Sequence, residues 1–169
     1  RCAPLGGRDP LAHLPRRVVP NVLAWNQAWA MTHYTTRGQR TAPPESLSLA
    51  DKIGAVLMGV NVPRPTNSGT PADVGLAYEV RTVSVDSGSL EAWYVPVPGA
   101  DAVVLMFPAY AESKSSLLPA ARALADLGYD TLMVDFRGAG GSTGNDTTLG
   151  IREARDVAAA FNYARHEWG

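Results

Sequence analysis

The stretch from Val103 to Gly144 constrains the fold more than any other. It opens with a continuous apolar run, Val103 to Phe107, and continues into a polar loop. An amphipathic segment follows, then a second apolar run, Thr131 to Val134, then a glycine-rich loop that begins at Asp135. Strands that are apolar along their whole length are the mark of parallel sheets covered on both faces. Two parallel neighbours need a crossover of a dozen or more residues, usually a helix. The spacing therefore predicts a β–α–β unit. Ser115 or Ser116 is the expected cap of its helix, and Pro119 falls in the first turn, where a missing N–H costs nothing. Leu117, Leu118, Ala121, Leu124, Ala125 and Leu127 form the expected buried stripe, and Gly128 ends it.

Upstream, Leu76 to Val85 alternates, with Val80, Val83 and Val85 marking a strand. Asp86-Ser87-Gly88-Ser89 is turn chemistry, with Gly88 supplying a positive φ. Leu90 to Val97 returns as the second strand of a hairpin and ends at Pro96 and Pro98. The sheet thus starts antiparallel and turns parallel. Downstream, a helix is expected from about Ile151 to Trp168. Ile151, Ala154, Val157, Ala158, Phe161 and Trp168 are its expected buried face, and Glu153 in the first turn suits the helix dipole.

The N-terminal third lacks this clarity. Residues 1 to about 20 are rich in Pro, Gly and Arg and read as an extended arm, with Arg16–Arg17 in a solvated turn. Asn21 to Tyr34 reads as a helix with Asn21 as N-cap. Its tryptophans, Trp25 and Trp29, are expected to pack under the main domain. Ser46 to Met58 reads as a second helix capped by Ser46, with Leu47, Ala50, Ile53 and Leu57 on its apolar face. Val62 to Pro71 carries three prolines and reads as a surface linker with a structural role only. Two regions result: residues 1–72, an arm and helical segment packing on the core, and residues 73–169, the α/β core.

Composition excludes several function classes. The 169 residues are 46% hydrophobic and 18% charged, with a net charge of −1. That is a globular balance, and no overall field favours nucleic acid or an anionic membrane. No segment approaches the roughly 18 apolar residues of a spanning helix. The single cysteine, Cys2, rules out an intrachain disulfide; it reads as inert, with lipidation as the other reading. His13, His33 and His166 lack ligand spacing, so neither a metal nor a cofactor is expected. Because the chain begins with Arg1, a processed or trimmed N-terminus is expected, with a targeting or membrane segment removed, and the compartment stays open.

Three loops could carry chemistry. Gly140-Gly141-Ser142-Thr143-Gly144 matches G-x-S-x-G, in which a serine sits at the apex of a sharp strand-to-helix turn. Ser142 is therefore a candidate nucleophile. However, it lies eight residues past Val134 and the next helix starts about nine residues later, so a loop serine bonded to local backbone is the competing reading. The same glycines invite a dinucleotide reading, but Thr143 stands where G-x-G-x-x-G needs a small residue. The third loop, Pro108 to Lys114, sits at the carboxyl end of the first parallel strand, where open α/β sheets bind ligands.

Taken together, these segments resemble the early part of a serine α/β-hydrolase. In that family one strand ends in His-Gly-x, a helix follows, and the next strand ends in Asp-x-Arg-Gly-x-Gly-x-Ser. Asp135-Phe136-Arg137-Gly138-Ala139-Gly140-Gly141-Ser142 resembles the second motif, Thr147 to Val157 resembles the helix entry after it, and the hairpin resembles the first two strands. The resemblance covers about residues 73 to 169. It implies the N-terminal part of an α/β-hydrolase fold, acting on an ester, thioester or amide through an acyl-enzyme. It also implies that the backbone N–H of Tyr110 forms half of an oxyanion hole.

The sequence departs from the family at two places. Pro108-Ala109 replaces His-Gly, which narrows backbone freedom beside Tyr110. In the family, moreover, the nucleophile strand follows the helix that here ends at Trp168, and Asp or Glu and His come later still. The expectation is an N-terminal half without its triad and inactive alone. Its expected partners are a small acyl substrate of the parent and a complementary chain carrying the second half. The alternative is a non-catalytic binding module that keeps half of the fold. In either case the strand Val103–Phe107 is expected to lie at an open sheet edge.

Overall fold

The computed structural model describes residues 14–169. Its element order is α1 (Leu14–Thr32), α2 (Leu49–Met58), β1 (Glu79–Val85), β2 (Gly88–Val95), β3 (Val103–Met106), α3 (Leu118–Asp126), β4 (Asp130–Val134) and α4 (Glu153–Trp168). The four strands form one sheet in the order β1-β2-β4-β3. β1 and β2 pair antiparallel around the turn at Gly88, and β2 pairs antiparallel with β4. β3 and β4 are parallel, with Leu105 opposite Leu132 and Met106 opposite Met133. The crossover between them is a short 3₁₀ turn, Lys114–Leu117, followed by α3. Antiparallel entry and a parallel pair with its helix match the expected fold class.

Strand alternation builds two cores, one on each face. Val83, Leu90, Ala92, Tyr94, Leu132 and Val134 meet Ala160 of α4 on one side. Leu76, Trp93, Val95 and Met133 meet Leu118 and Ala121 of α3 on the other. Neighbouring residues of β2 and β4 go to opposite clusters, as the period-2 pleat requires. The chain sequence of β4 is buried from Thr131 to Val134, in keeping with a strand covered on both faces. β3 differs. All four of its residues are only half-buried, because it pairs with β4 on one side and forms the sheet edge on the other.

Several local expectations are corrected. α3 has Leu117 as its N-cap, with no side-chain cap from Ser115 or Ser116, and Leu127 is 71% exposed. The face of α4 is also turned. Asp156, Ala160 and Ala164 are buried, whereas Ile151, Val157 and Phe161 are exposed. Two small alanines let the helix approach the sheet, and Asp156 is drawn inward by Arg137 at 2.7 Å. Together they fix a rotation that the larger side chains alone do not predict.

The N-terminal third is helical from Leu14, so residues 14–20 are not an extended arm. Arg16–Arg17 lie within α1 and Pro20 inside it. Asn21 is therefore a mid-helix residue, not a cap. Cys2 and His13 fall outside the described residues. α2 starts later than expected, with Ser48 as its cap: the Oγ accepts from the Asp51 N–H at 3.2 Å. No residue of α2 is buried. Trp25 and Trp29, expected beneath the core, are 67% and 53% exposed.

The two helices meet largely through polar groups. The Gln27 amide donates to the Ala55 and Val56 carbonyls at 2.7 and 2.8 Å, and the Asn26 amide donates to the Leu57 carbonyl at 3.3 Å. These bonds reach carbonyls of the last turn of α2, of which that of Ala55 also accepts from the Gly59 N–H at 3.0 Å. Docking to the sheet is done by the ends of the helical segment. The Tyr34 N–H donates to the Asn145 carbonyl at 3.0 Å, the Asn145 amide returns to the Tyr34 carbonyl at 2.6 Å, and the Thr147 N–H donates to the Thr32 carbonyl at 2.8 Å.

Candidate functional site

The parallel strands β3 and β4 deliver two loops to the same end of the sheet, 108–114 and 135–147. Between them lies a cavity of about 290 Å³. Pro108 to Glu112 form one wall, Phe136, Arg137 and Ala139 the second, and Tyr34, Thr147 and Glu153 close it. The Phe107 and Phe136 rings stack at 5.2 Å beneath it.

The glycine-rich loop is shaped by Asp135, which is fully buried. Its Oδ1 accepts from the Lys114 N–H at 2.7 Å. Its Oδ2 accepts from the Gly141 N–H at 3.0 Å and the Asn67 amide at 3.3 Å, and it also takes the Lys114 ammonium. A Cβ at Gly140 would collide with this carboxylate, and Gly140 also holds φ +50. Only glycine fits at such a close approach. Lys114 is fully buried too. It reaches Glu91 Oε1 at 2.7 Å and lies 4.2 Å from the centroid of the Trp93 ring.

Ser142, the candidate nucleophile, is 3% exposed. Its Oγ donates to the Asp135 carbonyl at 2.7 Å and accepts from the Glu91 N–H at 2.9 Å. The hydroxyl thus bridges the end of β4 to β2 and does not face the cavity. Neither histidine of the described residues contacts it. His33 stacks on Trp29 at 3.5 Å, and His166 lies on the exposed side of α4. Among the described residues no group of His, Cys, Asp or Glu is placed to hold a metal.

Tyr110 does lie on the cavity wall. Its phenol donates to the Met31 carbonyl at 2.6 Å, and its ring is 6.5 Å from that of Tyr34. The next residue, Ala111, holds φ 56, a left-handed conformation that is uncommon for a residue with a Cβ. Two titrations are shifted in this region. Burial, then the neighbouring Tyr110 and Glu153, push the Tyr34 phenol up, against donation from the Ala111 N–H and Thr147. Burial also raises Tyr110, opposed by the charge of Arg40. For Glu153, burial pushes upward, but hydrogen bonds from Thr147, Thr148 and the backbone outweigh it and bring the carboxyl down to about 2.

Residues that the sequence did not single out hold this arrangement together. Arg137 is paired with Asp156 and donates to Ser87 at 2.9 Å, tying the β4 loop to α4 and to the hairpin turn. Arg64, in the segment read as a surface linker, donates to the Gly140 and Ser142 carbonyls at 2.9 and 2.7 Å. The segment is therefore a strap across the glycine loop, with Val62 and Pro65 buried beneath it. A lone arginine among prolines carries no periodic signal that would have revealed this.

Comparison with known proteins bears on the fold. No protein-family model and no curated protein matches the sequence. An esterase from Pyrococcus furiosus, Pf2001, superimposes with a TM-score of 0.57 at 27% identity, over 64% of this chain and 44% of the esterase. The chain has part of an α/β-hydrolase fold. A second crystal form of the same esterase gives the same TM-score and identity over 41% of its length. An α/β hydrolase from Vibrio vulnificus aligns with 80% of this chain and 49% of its own, with a TM-score of 0.50 and 19% identity, a likeness of fold alone. The chain thus spans less than half the length of the hydrolases it matches. In this α/β-hydrolase sheet the loop 108–114 follows the first parallel strand, and the Asp-Phe-Arg-Gly loop follows the second.

Proposed function

We propose that this chain supplies the oxyanion side of a serine hydrolase that cleaves an ester, thioester or amide through an acyl-enzyme. The nucleophile, the acid and the histidine come from polypeptide beyond residue 169, and the 169 residues alone are inactive. The observation that carries the reading is the cavity at the carboxyl ends of β3 and β4, with Tyr110 on its wall. In this reading the Tyr110 N–H donates to the oxygen that becomes negative when the carbonyl is attacked. A preorganised donor aimed at developing charge accelerates acyl transfer, and loss of one donor costs about 10²–10³ in rate. The likeness to an esterase supports the same chemistry.

The test compares the 169 residues with the same chain extended through the following coding sequence. Short p-nitrophenyl esters should be turned over only by the extended chain. In it, Tyr110→Pro, which removes the N–H, should lower kcat by about 10²–10³, whereas Tyr110→Phe should not. If the extended chain binds acyl compounds without turnover, the non-catalytic reading replaces this one. Turnover by the 169 residues that Ser142→Ala abolishes would overturn the assignment of the nucleophile.

A further inference from the structure

A second and larger cavity, about 720 Å³, lies within the helical segment and reaches Tyr110 of the 108–114 loop. Its size is that of a small-molecule site. Met31 of α1, Ala55 and Val56 of α2, and Pro43 and Leu47 from the segment before α2 give it an aliphatic lining, and Tyr110 closes one end. Two charged residues, Arg40 and Lys52, also line it, and no acidic residue does. Among the described residues neither of these cations forms an ion pair. Arg40 and Tyr110 both line the cavity.

We propose that this cavity binds an aliphatic chain that ends in an anionic group, such as a medium-chain carboxylate. The apolar walls remove methylenes from water, which is favourable in proportion to chain length. Two cations with no acidic residue among the lining, at a mostly apolar site, select against neutral and cationic amphiphiles of the same length. The cavity also shares Tyr110 with the smaller one, and the Tyr110 hydroxyl is bonded to Met31 on its wall. Binding is thereby connected to the 108–114 loop. The inference rests on the geometry of this cavity and does not require the hydrolase reading.

The experiment is calorimetric titration of the 169-residue chain with octanoate, decanoate, dodecanoate and dodecyltrimethylammonium, all below their micellar concentrations. Affinity should rise with each pair of methylenes, up to about fifteenfold for full burial, and the cationic amphiphile should bind at least tenfold more weakly than dodecanoate. Ala55→Trp, which fills the cavity, should abolish dodecanoate binding. The paired change Arg40→Glu and Lys52→Glu, both at exposed positions, should weaken it more than tenfold without altering the circular dichroism spectrum. This pair carries the test if Ala55→Trp fails to fold. Affinity independent of chain length, equal binding of both head groups, or dodecanoate binding unchanged by the charge reversals would overturn the proposal. Loss of ester turnover in an extended chain would not touch it, since none of these readouts needs hydrolysis.

Discussion

The ammonium of Lys114 and the carboxylate of Asp135 face each other inside the protein, and both side chains are completely shielded from water. Lys114 comes from the loop after β3 and Asp135 from the end of β4, so the pair fastens the two loops that frame the candidate site. Removing one partner of a buried pair leaves an uncompensated charge, at a cost of about 3–5 kcal/mol. Lys114→Met is expected to destabilise the chain by that amount in urea unfolding. Lys114→Met combined with Asp135→Asn should cost less than the sum of the two single changes, since the orphaned charge is gone. Additive effects would show that the two groups are not coupled.

Glu153 accepts hydrogen bonds from both Thr148 groups, from the Thr147 hydroxyl at 2.7 Å and from the Gly150 N–H at 2.9 Å. Its folded pKa is depressed from 4.5 to about 2. A depressed carboxylate contributes stability that is present above its unfolded pKa and lost as pH falls toward the folded value. Thermal melts should therefore show Tm falling between pH 4.5 and 2. Glu153→Gln should flatten that dependence and lower stability by about 1.5–3 kcal/mol at neutral pH, the usual worth of a hydrogen bond to a charged group. An unchanged acid limb in the variant would assign it to other carboxylates.

At alkaline pH the sign reverses. Burial and donation to the Asp130 carboxylate push the Tyr94 phenol up to about 12. The folded state keeps a proton that the unfolded state releases from about pH 10. This contribution is complete below that value and lost as pH rises toward 12. Ultraviolet titration should find Tyr94 ionising near pH 12, and Tyr94→Phe should remove that late transition.

β3 presents one unpaired edge made of Val103 to Met106. A short apolar edge with no charge or proline on it is a template for pairing with another chain. Light scattering by the 169 residues should rise with concentration, and Val104→Lys should suppress it. Full amide protection along β3 in a monomer with a cooperative melt would contradict this expectation.

Periodicity made the sheet legible. The runs at Val103 and Thr131 read as strands because short continuous apolar runs bounded by turn signals suit parallel strands, although β3 proves only half-buried. The rotation of α4 was not legible, because Ala160, Ala164 and the Arg137–Asp156 pair outweigh larger apolar residues, and helical spacing alone weights side chains by size. Nor were the exposed tryptophans, since α1 meets α2 through Asn26 and Gln27, which carry no hydrophobic signal. The role of Ser142 was ambiguous in the motif; one of its two backbone bonds is to Glu91 of β2, 51 residues away in the chain.

Arg64 finds its carbonyl partners 76 to 80 positions further along the chain. Contacts of that separation close a large loop, and their entropy must be met before they stabilise anything. During synthesis α1 and α2 leave the ribosome before the glycine loop, and their strap has no anchor until residues 140–144 have emerged and turned around Asp135. The helical segment is therefore made before the loop that secures it, and its fastening waits until the glycine loop exists.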